Sequence, residues 1–364
     1  MPCRASFSMF LLAAVGCAPD GGVRLPETEE VYSGAHVRLH TTTERSVCGG
    51  TGPAMEAMLS FLGRETELGE LDQPIDVYLL SEDQVSDACD LDFEGVFACS
   101  FVEEPNPLVV SSYLPTEHEL VHSYLSLKQR TPGRRHAFLE EGFASVYGRD
   151  GDLSQPTTQL ADGLSFARSL PIAHYPRAAH FMNFVVDEFG PAVASQLVLN
   201  SAGVRDGDEL DSTFLDTLGT STAELVDLYD GESAACASAG WQRGYDCEAS
   251  PEAWHFSGTL RLDIGHECSD LASLGSSDGP TFERFSLDFP EPATVSIQLD
   301  TAVAEQYPKV RLTKCGACDD EFVLEHDLSE GPLFNLQLDP GTYVLRALYS
   351  SGEPEPAVLK LRRE

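Results

Sequence analysis

Two histidines four residues apart, with a glutamate directly after the first, restrict the fold of this chain more than any other feature. The segment is His118-Glu119-Leu120-Val121-His122. On an α-helix of 3.6 residues per turn, His118 and His122 share one face, so both imidazoles can reach the same metal ion. Glu119 then lies beside the metal, where it can take a proton from water. The segment therefore predicts a helix with two metal ligands and requires a third ligand from elsewhere.

Glu141 is the predicted third ligand. Eighteen residues separate it from His122, and they include a turn at Thr131-Pro132-Gly133. We expect a helical hairpin, because two helices joined by a short turn can bring a carboxylate back to the two imidazoles. Glu140 competes for the same place. Adjacent helical residues point about 100° apart, so only one of the two glutamates faces the metal.

The pattern around this segment predicts a domain of mixed strands and helices. Thr116, three residues before Glu119, predicts a capping box at the start of the first helix, and the second helix begins near Arg135. Strands are expected at 31–40, 75–80 and 108–111. Helices are expected from Thr51 to Gly63 and from Tyr175 to Phe189, and a further helical pattern continues to about Tyr229.

The pattern of apolar and polar residues changes after residue 230. Residues 231–256 resemble a linker, and short alternating runs separated by turn residues follow it, as in a β-sandwich. These runs are 282–289, 294–299, 309–312, 333–338, 342–349 and 357–361. We therefore expect an α+β protein, with a first domain over 31–230 and an all-β sandwich over 257–364.

The first 17 residues predict export. Arg4 precedes an apolar run from Phe7 to Val15, which is too short to anchor in a bilayer. Ala14-Val15-Gly16-Cys17 resembles a bacterial lipobox, which would attach lipid to Cys17 and anchor the chain to a membrane; the alternative is an ordinary cleaved signal peptide. Residues 18–30 form a tether in either case. The predicted location is the bacterial cell envelope or the extracellular space.

Eight cysteines follow the leader, and an even number in an exported chain predicts disulfides. Cys89 and Cys99 bracket a short acidic loop and are the expected pair. If all eight pair, at least one bridge crosses residue 230. The spacing of Cys315 and Cys318 favours a loop disulfide over a redox or zinc motif.

The charge balance excludes one class of partner. The chain has 59 acidic and 23 basic residues, for a formal net charge of −36. Such a surface repels nucleic acid, so we expect no nucleic-acid partner. The sequence carries no indication of oligomeric state.

Glu140-Glu141-Gly142-Phe143-Ala144 resembles the Asn-Glu-Gly-Phe-Ala segment of gluzincin zinc metallopeptidases, which follows a His-Glu-x-x-His motif at about this distance. Tyr175-Pro176-Arg177-Ala178 looks like the Tyr-x-Lys-Gly of the aminopeptidase N-like branch. The resemblance implies a thermolysin-like domain that binds one zinc ion and hydrolyses peptide or protein substrates. It also implies roles for individual residues: zinc ligands His118, His122 and Glu141, general base Glu119, and oxyanion donor Tyr175.

The chain departs from the gluzincin pattern in two places. Pro53-Ala54-Met55-Glu56-Ala57 is similar to the Gly-Ala-Met-Glu-Asn that holds an amino terminus in the aminopeptidases, but it predicts a helix start. Ser145 replaces an aspartate that orients a ligand histidine in thermolysin-like members. His174 and His180 flank Tyr175 as substrate contacts or as ordinary core and surface residues.

Leu338-Asp339-Pro340-Gly341-Thr342-Tyr343 resembles a segment of bacterial pre-peptidase C-terminal domains, which are β-sandwiches. We therefore expect an exported zinc-dependent peptidase with an accessory sandwich. The alternatives are a catalytically inactive zinc-containing surface lipoprotein that binds partners, and an adhesin that acts through the sandwich.

Overall fold

The fold comes from a computed structural model that describes residues 25–42, 44–89, 98–101, 107–148, 158–232, 247, 252–253, 258–277, 279–299, 308–315, 323–349 and 356–363. The predicted leader with Cys17, most of the predicted linker, and Cys318 lie outside these residues. In the described part of the chain, no helix is long and apolar enough to span a bilayer.

A mixed sheet forms the first part of the chain, in the order β1-β2-β3-β5-β4. Strands β2, β3 and β5 are parallel, whereas β1 and β4 join the two ends of the sheet as antiparallel strands. Side chains alternate along the strands, so Val37, Val77 and Val109 enter the main core on one face. The strands are β1 Glu29–Ser33, β2 Val37–Thr41, β3 Ile75–Leu79, β4 Ala98–Phe101 and β5 Leu108–Ser111.

The single strand predicted at 31–40 is wrong, because the chain turns back between β1 and β2. The backbone N–H of Gly34 donates to the carbonyl of Val37 at 2.9 Å. The Glu56 carboxylate accepts the backbone N–H groups of His36 and Val37 at 2.9 and 2.8 Å. A side chain from the following helix thus stabilises the turn, and this contact is invisible in the local sequence.

Helices follow and cover the inner face of the sheet. Helix α1 begins at Thr51, as predicted, and α6 coincides with the predicted helix from Tyr175 to Phe189. The helices are α1 Thr51–Glu65, α2 Glu82–Ala88, α3 Glu117–Lys128, α4 Ala137–Gly148, α5 Leu160–Leu164, α6 Tyr175–Phe189, α7 Pro191–Asn200, α8 Gly207–Leu218 and α9 Thr222–Glu232. Helices α3, α4 and α6 lie inside the main core, so the predicted helical hairpin is buried.

The predicted capping box at Thr116 is wrong, although α3 starts at the next residue. The Thr116 hydroxyl makes no capping hydrogen bond and is buried without a partner among the described residues. The carboxylate of Glu119, which a capping box needs, bonds to the Ser100 side chain instead. Burial of the helix on all sides, from Glu117 to Leu125, stabilises its first turn.

Two further sheets form the C-terminal part, in the orders β13-β10-β15-β7 and β12-β11-β14-β9-β6. Their facing side chains, including Val295, Leu345 and Leu359, make one apolar core. The predicted runs from 282 onward are all strands, and the α+β prediction is confirmed. The strands are β6 Glu252–Ala253, β7 Thr259–Ile264, β8 Leu274–Gly275, β9 Thr281–Phe289, β10 Ala293–Leu299, β11 Lys309–Lys314, β12 Val323–Asp327, β13 Leu333–Leu338, β14 Gly341–Tyr349 and β15 Ala357–Arg363.

Disulfides link distant parts of the described chain. The predicted Cys89–Cys99 bridge is confirmed. A second bridge joins Cys48 to Cys268 across residue 230, as predicted for the case in which all eight cysteines pair. The predicted loop disulfide at Cys315 is wrong, because Cys315 pairs with Cys247, 68 residues earlier. Several disulfides are typical of exported proteins.

Gly142 allows α4 and α6 to approach at backbone distance. A Cβ atom at this position would lie 2.7 Å from the carbonyl carbon of Ala178 and 2.7 Å from Cγ of Met182. We expect Gly142→Ala to lower the free energy of unfolding by about 1–3 kcal/mol, since a buried methyl group without space forces the helices apart. Urea denaturation measures the loss. Gly207→Ala is the matched control, because its Cβ would meet nothing within 4 Å. Equal stability of the two variants would contradict the close approach.

Candidate metal centre

The two histidines of α3 meet a glutamate of α4 at a buried point. Nε2 of His118 lies 3.1 Å from Nε2 of His122 and 3.1 Å from Oε2 of Glu141. Nε2 of His122 lies 3.3 Å from the same oxygen. The three atoms thus form a nearly equilateral triangle, and the structure brings together all three residues that the sequence predicts as ligands.

This triangle has the dimensions of one face of a metal tetrahedron. Zinc binds nitrogen and oxygen at about 2.0–2.1 Å, so two ligand atoms of a tetrahedral site are about 3.3–3.4 Å apart. The observed edges of 3.1, 3.1 and 3.3 Å are close to that separation. Two imidazoles and one carboxylate also match the ligand set of catalytic zinc sites, which leave the fourth position open. His118, His122 and Glu141 can therefore hold a metal ion.

Glu140, the competitor for the ligand position, contacts the far side of the His122 ring. Its Oε1 lies 2.8 Å from Nδ1 of His122. An Nδ1–H that donates to this carboxylate leaves the lone pair of Nε2 directed into the triangle. The adjacent glutamates of α4 thus have different contacts: Glu141 directs an oxygen into the triangle, and Glu140 contacts the outer nitrogen of His122.

Arg135 balances the charge of Glu140. The Arg135 guanidinium contacts Oε1 of Glu140 and also donates to Oγ of Ser126 at 2.9 Å. Burial alone would raise the pKa of the Glu140 carboxyl, but the positive charge of Arg135 and the hydrogen bond from His122 lower it well below its usual range. Glu140 is therefore an anion at neutral pH, as a partner of a ligand histidine needs to be.

Glu119 lies beside the triangle and is not part of it. Its side chain is buried, accepts a hydrogen bond from Ser100, and interacts with the charges of His122, His118 and Glu141. Burial raises the pKa of its carboxyl, and the two imidazoles offset only part of that rise. A carboxylate with a raised pKa next to a metal position can accept a proton and later release it.

Tyr175, at the start of α6, reaches the same site. Its ring stacks on that of His118 at a centroid distance of 6.3 Å, and its hydroxyl hydrogen-bonds to the Glu141 carboxylate. Burial and the negative charge of Glu141 raise the pKa of this phenol well above its usual value. Tyr175 is therefore a proton donor at neutral pH, in direct contact with a metal-ligand candidate.

The contacts of His174 and His180, which flank Tyr175, do not support a role in binding substrate. Nδ1 of His180 lies 2.8 Å from the hydroxyl of Tyr229, and the guanidinium of Arg177 donates to the same hydroxyl at 2.8 Å. His180 is thus a buried core residue, and the network ties α6 to α9. The His174 ring packs against Phe166, with centroids 4.8 Å apart.

Comparison with known proteins gives only weak similarity. No protein-family model matches the chain, and no curated protein matches it. One similar solved structure is PliG of Salmonella Typhimurium, a periplasmic inhibitor of g-type lysozyme; identity is 12%, the TM-score is 0.19, and the match covers 31% of this chain and 96% of that chain. Another is Legionella pneumophila aminopeptidase A in complex with aspartic acid, with 9% identity and a TM-score of 0.29. The second match covers 88% of this chain but 34% of the aminopeptidase. Similarity at this level does not define a family.

Proposed function

We propose that this chain is an exported zinc-dependent peptidase. The observation that carries the proposal is the buried triangle of His118, His122 and Glu141 with Glu119 next to it. Three ligand atoms at tetrahedral spacing support a shared ion, since two imidazole nitrogens 3.1 Å apart either share one proton or bind the same ion. A base beside such a site is needed for hydrolysis and has no purpose in a purely structural zinc site.

The residues around the triangle can perform hydrolysis of a peptide bond. When bound, zinc lowers the pKa of water and polarises the substrate carbonyl. Glu119 takes the proton from the attacking water and passes it to the leaving amine, which its raised pKa favours. Tyr175 keeps its proton and can donate a hydrogen bond to the developing oxyanion. Glu140 and Arg135 hold His122 in the orientation that this chemistry requires.

The proposed substrate is a peptide or protein, and strand β4 lies next to the proposed base. Among the described strands, β4 is the last in the sheet, with β5 on one side only. It carries Ser100, whose side chain contacts Glu119. All four residues of β4 are buried, so the strand supports the base from inside the protein.

The proposed setting is the bacterial cell envelope or the extracellular space, with Cys17 as the point of lipid attachment. Support comes from the leader sequence and from the disulfides of the described chain. The proposed division into a peptidase domain over 31–230 and a sandwich over 257–364 is supported by the presence of two main cores, although Leu274 and Phe282 of the second part pack with the first core.

Metal analysis combined with a cleavage profile tests the proposal. We expect about one zinc ion per chain, cleavage of a peptide library, loss of that cleavage in 1,10-phenanthroline, and its return on addition of Zn²⁺. A non-chelating isomer, 1,7-phenanthroline, is the control. Cleavage that survives complete removal of the metal would contradict the proposal, as would a zinc-loaded protein that cleaves no peptide in the library.

A further inference from the structure

Ser100 links the edge strand β4 to the proposed general base. Neighbouring Cys99 and Phe101 belong to a small core on the outer face of the sheet, together with Val85 of α2. Since side chains alternate along a strand, Ser100 lies on the opposite face, toward α3. Ser100 is 5% exposed, and its side chain hydrogen-bonds to the carboxylate of Glu119.

The backbone that carries Ser100 is held from two sides. In the ladder with β5, Ser100 pairs with Val109 and Cys99 pairs with Val110. The disulfide from Cys99 to Cys89 ties the strand to the end of α2. The Ser100 hydroxyl is therefore presented to Glu119 from a fixed position, which a side chain on an untethered loop would not achieve.

We propose that Ser100 is a positioning residue, which fixes one oxygen of the Glu119 carboxylate so that the other is directed to the attacking water. The catalytic consequence rests on the proposed function. Glu119 directly follows His118 in the chain and is buried close to both imidazoles. A carboxylate that turned onto an imidazole would no longer be aligned with the water. The serine hydroxyl opposes that rotation, because it donates a hydrogen bond to one carboxylate oxygen from a fixed point.

Steady-state kinetics on a cleaved peptide test the catalytic consequence. We expect Ser100→Ala to lower kcat about tenfold, with KM and zinc content unchanged, because the hydrogen bond affects the base and not the metal. Ser100→Thr keeps the hydroxyl on a residue that suits a strand, and we expect it to restore kcat to within about threefold. Ser123→Ala is the matched control, since Ser123 is also buried and its hydroxyl has no partner among the described residues. An unchanged kcat in Ser100→Ala would overturn the proposal, and so would an equal loss in Ser100→Thr.

A double-mutant cycle on thermal stability tests the contact without any activity. We expect Ser100→Ala to lower the midpoint of unfolding by roughly 4 °C when Glu119 is present, and by much less in the background of Glu119→Ala. Equal shifts in the two backgrounds would show that the hydroxyl and the carboxylate do not interact, which overturns the proposal. If the cycle shows clear coupling but the protein cleaves no peptide, the Ser100–Glu119 contact is established and the proposed peptidase function is contradicted.

Discussion

Glu119→Gln is expected to remove nearly all peptide hydrolysis while zinc stays bound. Glutamine has the shape of glutamate but cannot accept a proton from water, and a general base contributes about 10²–10⁴-fold to the rate. The three ligand atoms belong to other residues, so zinc content should equal that of the parent protein. The amide oxygen of glutamine can still accept the hydrogen bond from Ser100, so the fold around β4 is preserved. Stopped assays of kcat on a cleaved peptide, with zinc measured in the same samples, check both expectations.

Glu117→Gln is the matched control for this substitution. Glu117 is also a buried glutamate in the first turn of α3, but two helical positions rotate it by about 200° from Glu119. We expect it to keep the activity of the parent protein. Full activity in Glu119→Gln would exclude Glu119 as the base. A zinc-loaded parent that is no more active than Glu119→Gln would instead favour the alternative of an inactive surface lipoprotein that binds partners.

The local sequence was sufficient to predict the helices that carry the site. The four-residue spacing of His118 and His122 determines that both imidazoles lie on one helix face, and this geometry does not depend on the rest of the chain. The turn at Thr131-Pro132-Gly133 separates two helices, so a return of α4 onto α3 was the simplest arrangement. The structure has this hairpin, with Glu141 within 3.1–3.3 Å of both imidazoles.

The role of Glu140 could be predicted only in part. Helical geometry shows that Glu140 and Glu141 cannot both face the metal, but it does not show what the second one contacts. Glu140 reaches Nδ1 of His122 because Arg135, at the end of the interhelical turn, offsets its buried charge. The sequence does show an arginine, Arg135, five residues before Glu140. Only the structure shows that the two residues pair and that Glu140 contacts His122.

Contacts between distant segments account for the predictions that were wrong. The turn before β2 depends on the Glu56 carboxylate of α1. Cys315 pairs with Cys247 and not with its near neighbour. The capping box at Thr116 was predicted from local spacing, but Ser100 of β4 bonds to the carboxylate that the cap requires. In each case a contact with a residue distant in the sequence determines the local structure.

Glu141→Gln and Glu140→Gln make the same chemical change at adjacent positions, and we expect different losses of metal affinity. Glu140→Gln should weaken zinc binding about 10–100-fold, the usual effect of removing the hydrogen-bond partner of a ligand histidine. Glu141→Gln should weaken it further, because a neutral amide oxygen replaces one of only three protein ligands and the charge next to the ion is lost. Competition against a chromogenic zinc chelator, after removal of the bound metal, measures both affinities.

The free energy of unfolding of the two variants also distinguishes the roles of Glu140 and Glu141. Glu140→Gln leaves the buried Arg135 without its carboxylate, and an uncompensated buried charge costs about 3–5 kcal/mol. Among the described residues, the charge that Glu141→Gln removes contacts imidazoles and a phenol. An imidazole can lose its proton and a guanidinium cannot, so the metal-free protein should lose much less stability. Urea denaturation of the metal-free variants gives this comparison. If Glu140→Gln shows the larger loss of zinc affinity and Glu141→Gln the larger loss of stability, the two glutamates have exchanged roles, and the ligand set is His118, His122 and Glu140.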